Sequence, residues 1–295
     1  MTINDNISYF HHRGFGDLVI NLYCRNLFHT EPKTDFLSEY LIELYELINV
    51  NETKYIVIDG INTYPAFINI KKSSLKQILK SMFQLYLSFK KIKKCYPENK
   101  IFVDHKRTLQ DIYFNTKTLT PKITKNVYES HIQFYNELGF KKKTKTTQYR
   151  SESDTVRIFP YSSVSIKDFN TQILKKIVSS LEELEITYEV VYLDGDKVHD
   201  FQHDYTIIEK NFIELSSKLK RSKFNISCDS LPAHLSSFYD VKTLVLLPAN
   251  NIYGLPLNSY LSNNFLTFKD IENNISTKLY QLIKKNFYES DGFIV

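Results

Sequence analysis

Asp229-Ser230-Leu231-Pro232-Ala233-His234-Leu235 brings together the residue types best suited to chemistry in this chain. It follows a β-prone run, Phe224 to Cys228, and precedes a continuous apolar run, Thr243 to Leu247. Asp229 and Ser230 stand where a helix is capped, and Pro232 falls in the first turn, where its missing N–H costs nothing. A helix that begins at the carboxyl end of a parallel strand presents N–H groups and a positive dipole end, which suits a phosphate or diphosphate. Asp17, in the turn Arg13-Gly14-Phe15-Gly16-Asp17, reads as a first-turn carboxylate held by the next helix's dipole. Asp194-Gly195-Asp196 closes another apolar run and has the D-x-D form that can hold a divalent cation under a nucleotide diphosphate, although D-G is also a common turn. His199 and His203 have the i, i+4 spacing of a zinc pair. No Glu or Cys supports them, so they read as part of a solvated loop. His11 and His12 end the first apolar run, near Asp17.

These residues need rigid elements to hold them, and the chain alternates between strand and helix patterns. Strands are predicted at Ile7 to His12, Tyr55 to Asp59 and Lys100 to Asp104, with helices over Leu18 to Phe28, Phe36 to Ile48 and Leu75 to Lys94. The helix over Phe36 to Ile48 rests on Leu37, Leu41, Leu44 and Ile48, spaced 4, 3 and 4. A further helix, Val127 to Leu138, stops at Gly139, and the basic run Lys141 to Thr147 reads as the domain boundary. The pattern resumes with a strand at Thr155 to Phe159 and a helix carrying Ile173, Ile177 and Leu181. Then come a strand at Glu189 to Leu193, helices over Ile207 to Leu219 and Lys269 to Tyr288, and between them a loop from Asn250 to Asn264. Such alternation implies parallel sheets covered on both faces, an α/β chain of two doubly wound domains.

Asp229 to Leu235 resembles the D-T-G-P-A-H-L signature of glycosyltransferase family nine, the ADP-heptose:lipopolysaccharide heptosyltransferases; Leu231 stands where the family has Gly. That family begins with a strand, a G-D turn and a helix, which Gly16-Asp17 matches. It also places two small hydroxyl residues four and five positions before a Lys that an aromatic follows, as Ser162, Ser163, Lys167 and Phe169 do. The resemblance implies a GT-B-type fold, two Rossmann-like domains facing across a cleft, and an inverting glycosyltransferase needing no metal and no cofactor besides its nucleotide-sugar donor. It makes Asp17 the catalytic base. Ser162, Ser163, Lys167, Asp229, Ser230, Leu231 and His234 become the donor diphosphate site, with Asp196 near the nucleoside and His12 and Arg13 toward the acceptor. Residues 1–145 would bind the acceptor and 146–295 the nucleotide sugar, with the C-terminal helix, about 275–295, crossing back to the first domain. Two other readings remain: a non-catalytic nucleotide-sugar-binding relative, and a metal-dependent transferase using Asp194 and Asp196.

Composition narrows the partners. A chain of 295 residues that is 42% hydrophobic is globular, with a core for each of two domains. Cys24, Cys95 and Cys228 are odd in number and far apart, which suits a reducing cytosol and neither a disulfide frame nor a zinc site. The polar start, Met1 to Asn6, lacks a signal-peptide core, and no apolar run reaches the roughly 20 residues of a membrane span. The first 150 residues carry 23 basic against 14 acidic side chains, and the rest 15 against 19, so the positive charge lies in the first half. That asymmetry suits an anionic glycolipid or polysaccharide acceptor and peripheral contact at the inner face of a membrane. No nucleic-acid motif interleaves aromatic residues with the lysines, so nucleic acid is not expected as a partner.

Overall fold

The computed structural model describes residues 7–11, 14–29, 34–50, 53–58, 74–95, 100–102, 122–143, 153–273 and 276–288. Two units emerge: Met1–Ile123 with Ser130–Thr144, and Thr124–Glu129 with Lys145–Val295. The break at 144/145 lies one residue from the expected boundary, but 124–129 group with the second unit rather than the first. The basic run is no free linker at its start. His29 N–H donates to the Lys141 carbonyl at 2.8 Å and Lys143 N–H to that of Leu27 at 2.7 Å, which ties the run to the first unit.

In the first unit the strands β1 (Ile7–His11), β2 (Asp35–Ser38), β3 (Tyr55–Ile58) and β4 (Lys100–Phe102) lie in the order β3-β2-β1-β4, all parallel. The helices are α1 (Phe15–Asn26), α2 (Ile42–Ile48), α3 (Leu75–Cys95) and, from Ser130 on, α4 (Val127–Glu137), the last ended by Gly139 at φ +78°. The helix expected from Phe36 starts only at Ile42. Asp35 to Ser38 are wholly buried as a strand between β1 and β3, and a 3-10 turn, Glu39–Leu41, separates them from α2. Leu37, Leu41, Leu44 and Ile48 are buried either way, so their spacing suits a strand followed by a helix as well as one long helix.

The second unit repeats the plan with six parallel strands: β5 (Val156–Phe159), β6 (Tyr188–Leu193), β7 (Tyr205–Ile208), β8 (Asn225–Cys228), β9 (Thr243–Leu247) and β10 (Phe265–Thr267). Their order, β10-β9-β8-β5-β6-β7, is the doubly wound arrangement of dinucleotide-binding folds, with its switch point between β5 and β8. Leu244 and Leu246 of β9 face a core built with Ile173, Ile177 and Leu181 of α5 (Thr171–Glu183). Val245 and Leu247, pointing the other way, pack with Ala233 and Leu255. A strand apolar on both faces is what a sheet covered twice requires.

Two of the expected helices take another form. Residues 207 and 208 belong to β7, an edge strand exposed at Tyr205 and Ile207, and the helix α6 (Phe212–Lys220) begins only where Asn211 caps it. The helix α7 (Leu231–Phe238) and the short α8 (Leu257–Leu261) follow. The terminal helix is two: α9 (Phe268–Glu272), capped by Thr267, ends at Asn273, and α10 (Ser276–Tyr288) follows. The side chains that α10 buries, Leu279, Ile283 and Asn286, all serve the second unit. Residues 289–295, where part of the return to the first domain was expected, lie outside the described set. Among the described residues no helix is long and apolar enough to cross a membrane.

Candidate diphosphate site

At the switch point, two loops leave the carboxyl ends of β5 and β8, where ligands bind in open α/β sheets. The β5 loop runs from Pro160 to Asn170. Asp168 Oδ1 accepts the Ser162 N–H at 2.7 Å, Ser162 Oγ accepts the Val164 N–H at 3.2 Å, and Asn170 caps α5 through the Ile173 N–H. This folding holds Lys167 at the end of a 3-10 turn, Ser165–Lys167, while Ser163 stays exposed.

The β8 loop is Asp229-Ser230, leading into α7. Ser230 is the N-cap residue, but its hydroxyl turns back to the Cys228 carbonyl at 3.2 Å and caps nothing. Leu231 opens the helix in ordinary helical conformation and is not among the residues with positive φ, so the freedom of a glycine is not needed for the turn. Across the switch point Lys167 Nζ donates to Asp229 Oδ2 at 2.6 Å, with both side chains partly buried. Two segments 62 residues apart thus place an ammonium and a carboxylate beside a helix N-terminus. A third segment approaches Asp229: a Cβ on Gly254 would lie 3.9 Å from Asp229 Oδ1.

Asp168, Asn126 and Tyr128 were not singled out by sequence reasoning. Burial, and then the charge of Asp196, push the Asp168 carboxyl up, against the Ser162 N–H and His199, which favour its anion. Asn126 is fully buried and donates to the carbonyls of Ile252 and Leu255 at 3.2 and 2.9 Å, so it holds the segment that carries Gly254. Tyr128 hydroxyl lies 2.9 Å from His234 Nδ1 and its ring stacks on the imidazole, so His234 is buried with one nitrogen engaged inside the unit. An Asn just before a helix carries no sequence mark distinguishing it from an ordinary cap.

Asp196 turns its carboxylate to its own turn, where Oδ2 accepts the Leu193 N–H at 2.9 Å, and Asp194 is exposed. Among the described residues no three His, Cys, Asp or Glu side chains converge as a metal site. His199 and His203 are not a solvated loop. His199 is buried, with Nε2 2.9 Å from the Phe169 carbonyl and Nδ1 3.0 Å from Tyr192 hydroxyl, and His203 Nε2 lies 2.9 Å from the same hydroxyl. Tyr161 stacks on His199 and Phe201 on His203, and Tyr192 lies tilted against His199, shielding polar rings that the sequence places between charged residues.

In the first unit Asp17 is the third residue of α1 and half-buried, and its Oδ2 accepts the Gly14 N–H at 3.2 Å. Asp17, Asn21 and Arg25 follow at intervals of four on one side of the helix. Asn21 Nδ2 lies 3.4 Å from His11 Nδ1, and Arg25 Nη1 donates to Asp35 Oδ2 at 2.7 Å in a fully buried pair that Tyr45 hydroxyl joins at 2.5 Å. His11 Nε2 stands 3.5 Å from the same oxygen, within reach of its charge but outside hydrogen-bonding geometry. Burial pushes the Asp35 carboxyl up, but Arg25 overcomes it and holds the group down at about 2. Burial lowers His11 despite Asp35, so its ring is neutral. This network sets the rotation of α1 and with it the direction of Asp17. His12 and Arg13 lie outside the described residues.

No family model matches the sequence, and no curated protein matches it. Solved structures do. The chain is similar to a family 9 glycosyltransferase from Veillonella parvula at a TM-score of 0.66 and 13% identity, over 98% of this chain and 99% of that one. It is similar to the E. coli heptosyltransferase WaaC, solved with ADP, at 0.60 and 12% over 95% and 99%. E. coli ADP-heptose heptosyltransferase II aligns at 0.59 and 10% over 96% and 98%. At these identities the likeness is one of fold: the chain is built on the two-unit α/β plan of the GT-B glycosyltransferases.

Proposed function

We propose that this protein is an inverting glycosyltransferase that moves a sugar, a heptose or a relative of it, from a nucleotide diphosphate to a lipopolysaccharide or other surface-glycan acceptor. The observation that carries the reading is the Lys167–Asp229 pair at the switch point, joining two of the three motifs that resemble family nine. On this reading the donor's diphosphate takes Lys167, the Ser162 and Ser163 hydroxyls and the N–H groups at the start of α7, and Asp229 turns to the sugar. Asp17 accepts the proton of an acceptor hydroxyl as that oxygen bonds to the anomeric carbon. The bond from that carbon to the diphosphate breaks, and the leaving oxygen keeps the electron pair beside Lys167. The lysine and helix dipole supply the charge that a metal supplies elsewhere.

A thermal-shift series with ADP, UDP, GDP and dTDP tests the reading, because a ligand of the folded state raises its melting temperature by mass action. One nucleotide should stabilise the protein. Lys167→Ala should weaken that binding by about 1.5–3 kcal/mol, one charge-assisted hydrogen bond, with the fold unchanged. No shift with any nucleotide, or an unaltered affinity in the variant, removes the proposal. The metal-dependent alternative is separated by chelation: transfer should survive EDTA, and activity restored only by Mn²⁺ would bring back Asp194 and Asp196.

A further inference from the structure

Helix α3 carries a second apolar face that stands exposed among the described residues. Ser88 and Ile92 are buried on one side. On the other, Leu75, Leu79, Phe83 and Leu87 recur every four residues and are 72, 57, 60 and 47% exposed. Four large apolar side chains in line along three turns of helix, on the order of 18 Å, form a stripe rather than scattered exposed residues. Lysines flank it. Lys76 and Lys80 stand beside Leu75 and Leu79, and Lys90 and Lys94 continue the exposed side beyond Leu87. The helix holds six lysines and no acidic residue, against a net charge of +5 for the whole chain, so the rest of the protein is close to neutral and the positive charge is concentrated here.

We propose that this face of α3 docks the protein on an anionic lipid bilayer, lying in the interface with the stripe among the acyl-chain ends and the lysines among the headgroups. Charge decides among occupants. A second copy laid antiparallel on the stripe would set Lys76 and Lys80 against Lys90 and Lys94, which repel. A nucleic acid would engage the lysines and leave the leucines and Phe83 in water. An anionic bilayer satisfies both sets at once, as interfacial amphipathic helices do. The inference deepens the membrane contact expected of the basic first half and does not depend on the transferase reading, because its test reads vesicle binding and not transfer.

The test is flotation of the full chain with vesicles of phosphatidylcholine and phosphatidylglycerol, against vesicles of phosphatidylcholine alone. The protein should float with the anionic vesicles only, and less as salt rises. Lys76→Gln with Lys80→Gln should weaken partitioning by roughly tenfold or more, from the attraction of each lysine to an anionic surface. Leu79→Gln with Phe83→Gln should weaken it by roughly tenfold or more through lost apolar burial. All four positions are exposed, so both variants should keep the wild-type circular dichroism and the same nucleotide-induced thermal shift. Wild-type protein that ignores anionic vesicles, binds neutral ones equally, or floats unchanged in the variants overturns the proposal. So does a dimer in light scattering that the Leu79 and Phe83 changes disperse, which would assign the stripe to a second copy. A nucleotide shift without vesicle binding would sink this inference alone; vesicle binding without a nucleotide shift would sink only the transferase.

Discussion

Replacing Asp35 by Ala should be among the most damaging single changes in the first unit. Asp35 is fully buried and its Oδ2 serves Arg25 at 2.7 Å and Tyr45 at 2.5 Å. At an effective dielectric of about 20 the attraction of the pair is roughly 6 kcal/mol, and most of that offsets the desolvation of two ions. Removing one partner keeps the whole cost for the other. Arg25, 1% exposed, would keep its charge with no counter-ion, and such breaks cost about 3–5 kcal/mol. The Tyr45 hydroxyl would lose its acceptor, adding about 1 kcal/mol. Against a domain stability of roughly 5–15 kcal/mol, that is enough to unfold much of the unit near its melting range. Arg25→Met with Asp35→Leu should recover most of the loss, since it removes both charges and keeps the volume. The assay is urea denaturation followed by far-ultraviolet circular dichroism, reading the transition that moves, because two units can unfold in two steps. On the proposed function the nucleotide binds the second unit, so its thermal shift should persist in the folded fraction. A single variant that loses less than about 1 kcal/mol, or a double variant as unstable as the single, would refute this account of the network.

Asp17→Asn should leave donor affinity intact and lower kcat by about 10²–10⁴, the contribution of a positioned base, because Asn keeps an oxygen for the Gly14 N–H and loses only charge and basicity. Single-turnover transfer checks it, and a variant that turns over like wild type removes Asp17 from the mechanism. Stability should also fall in mild acid. Burial holds His131 down at about 4, against an ordinary value of 6.5. The unfolded chain therefore takes up a proton below pH 6.5 that the folded one refuses until about 4. The resulting stability is complete above 6.5 and lost between 6.5 and 4, to about 3 kcal/mol for this residue. His11, lowered by burial in the same direction, adds to the slope. Urea melts at pH 7 and 4.5 should show the loss, and His131→Leu should flatten it; equal slopes in both proteins would contradict the assignment.

Local pattern determined much of this protein. The buried runs of β5, β8 and β9, the Pro232 helix start and the Gly139 stop are legible because each depends on residues within a few positions. The α/β alternation and the doubly wound class follow from them. The two motifs that meet at the candidate diphosphate site were legible as residue types at fixed spacing. Their meeting was not, since the Lys167–Asp229 bond spans 62 residues and exists only because β5 and β8 pair at the switch point. Short elements were misread where periodicity is ambiguous. Phe36 to Ser38 reads as the front of a helix until β1 and β3 bury it on both sides, and Ile207 as helix until β7 takes the sheet edge. The Arg25–Asp35–His11 network left no trace in the sequence, where an Arg on an amphipathic helix ordinarily reaches solvent. Only packing excludes the water around it, and without water the charge must find its partner inside.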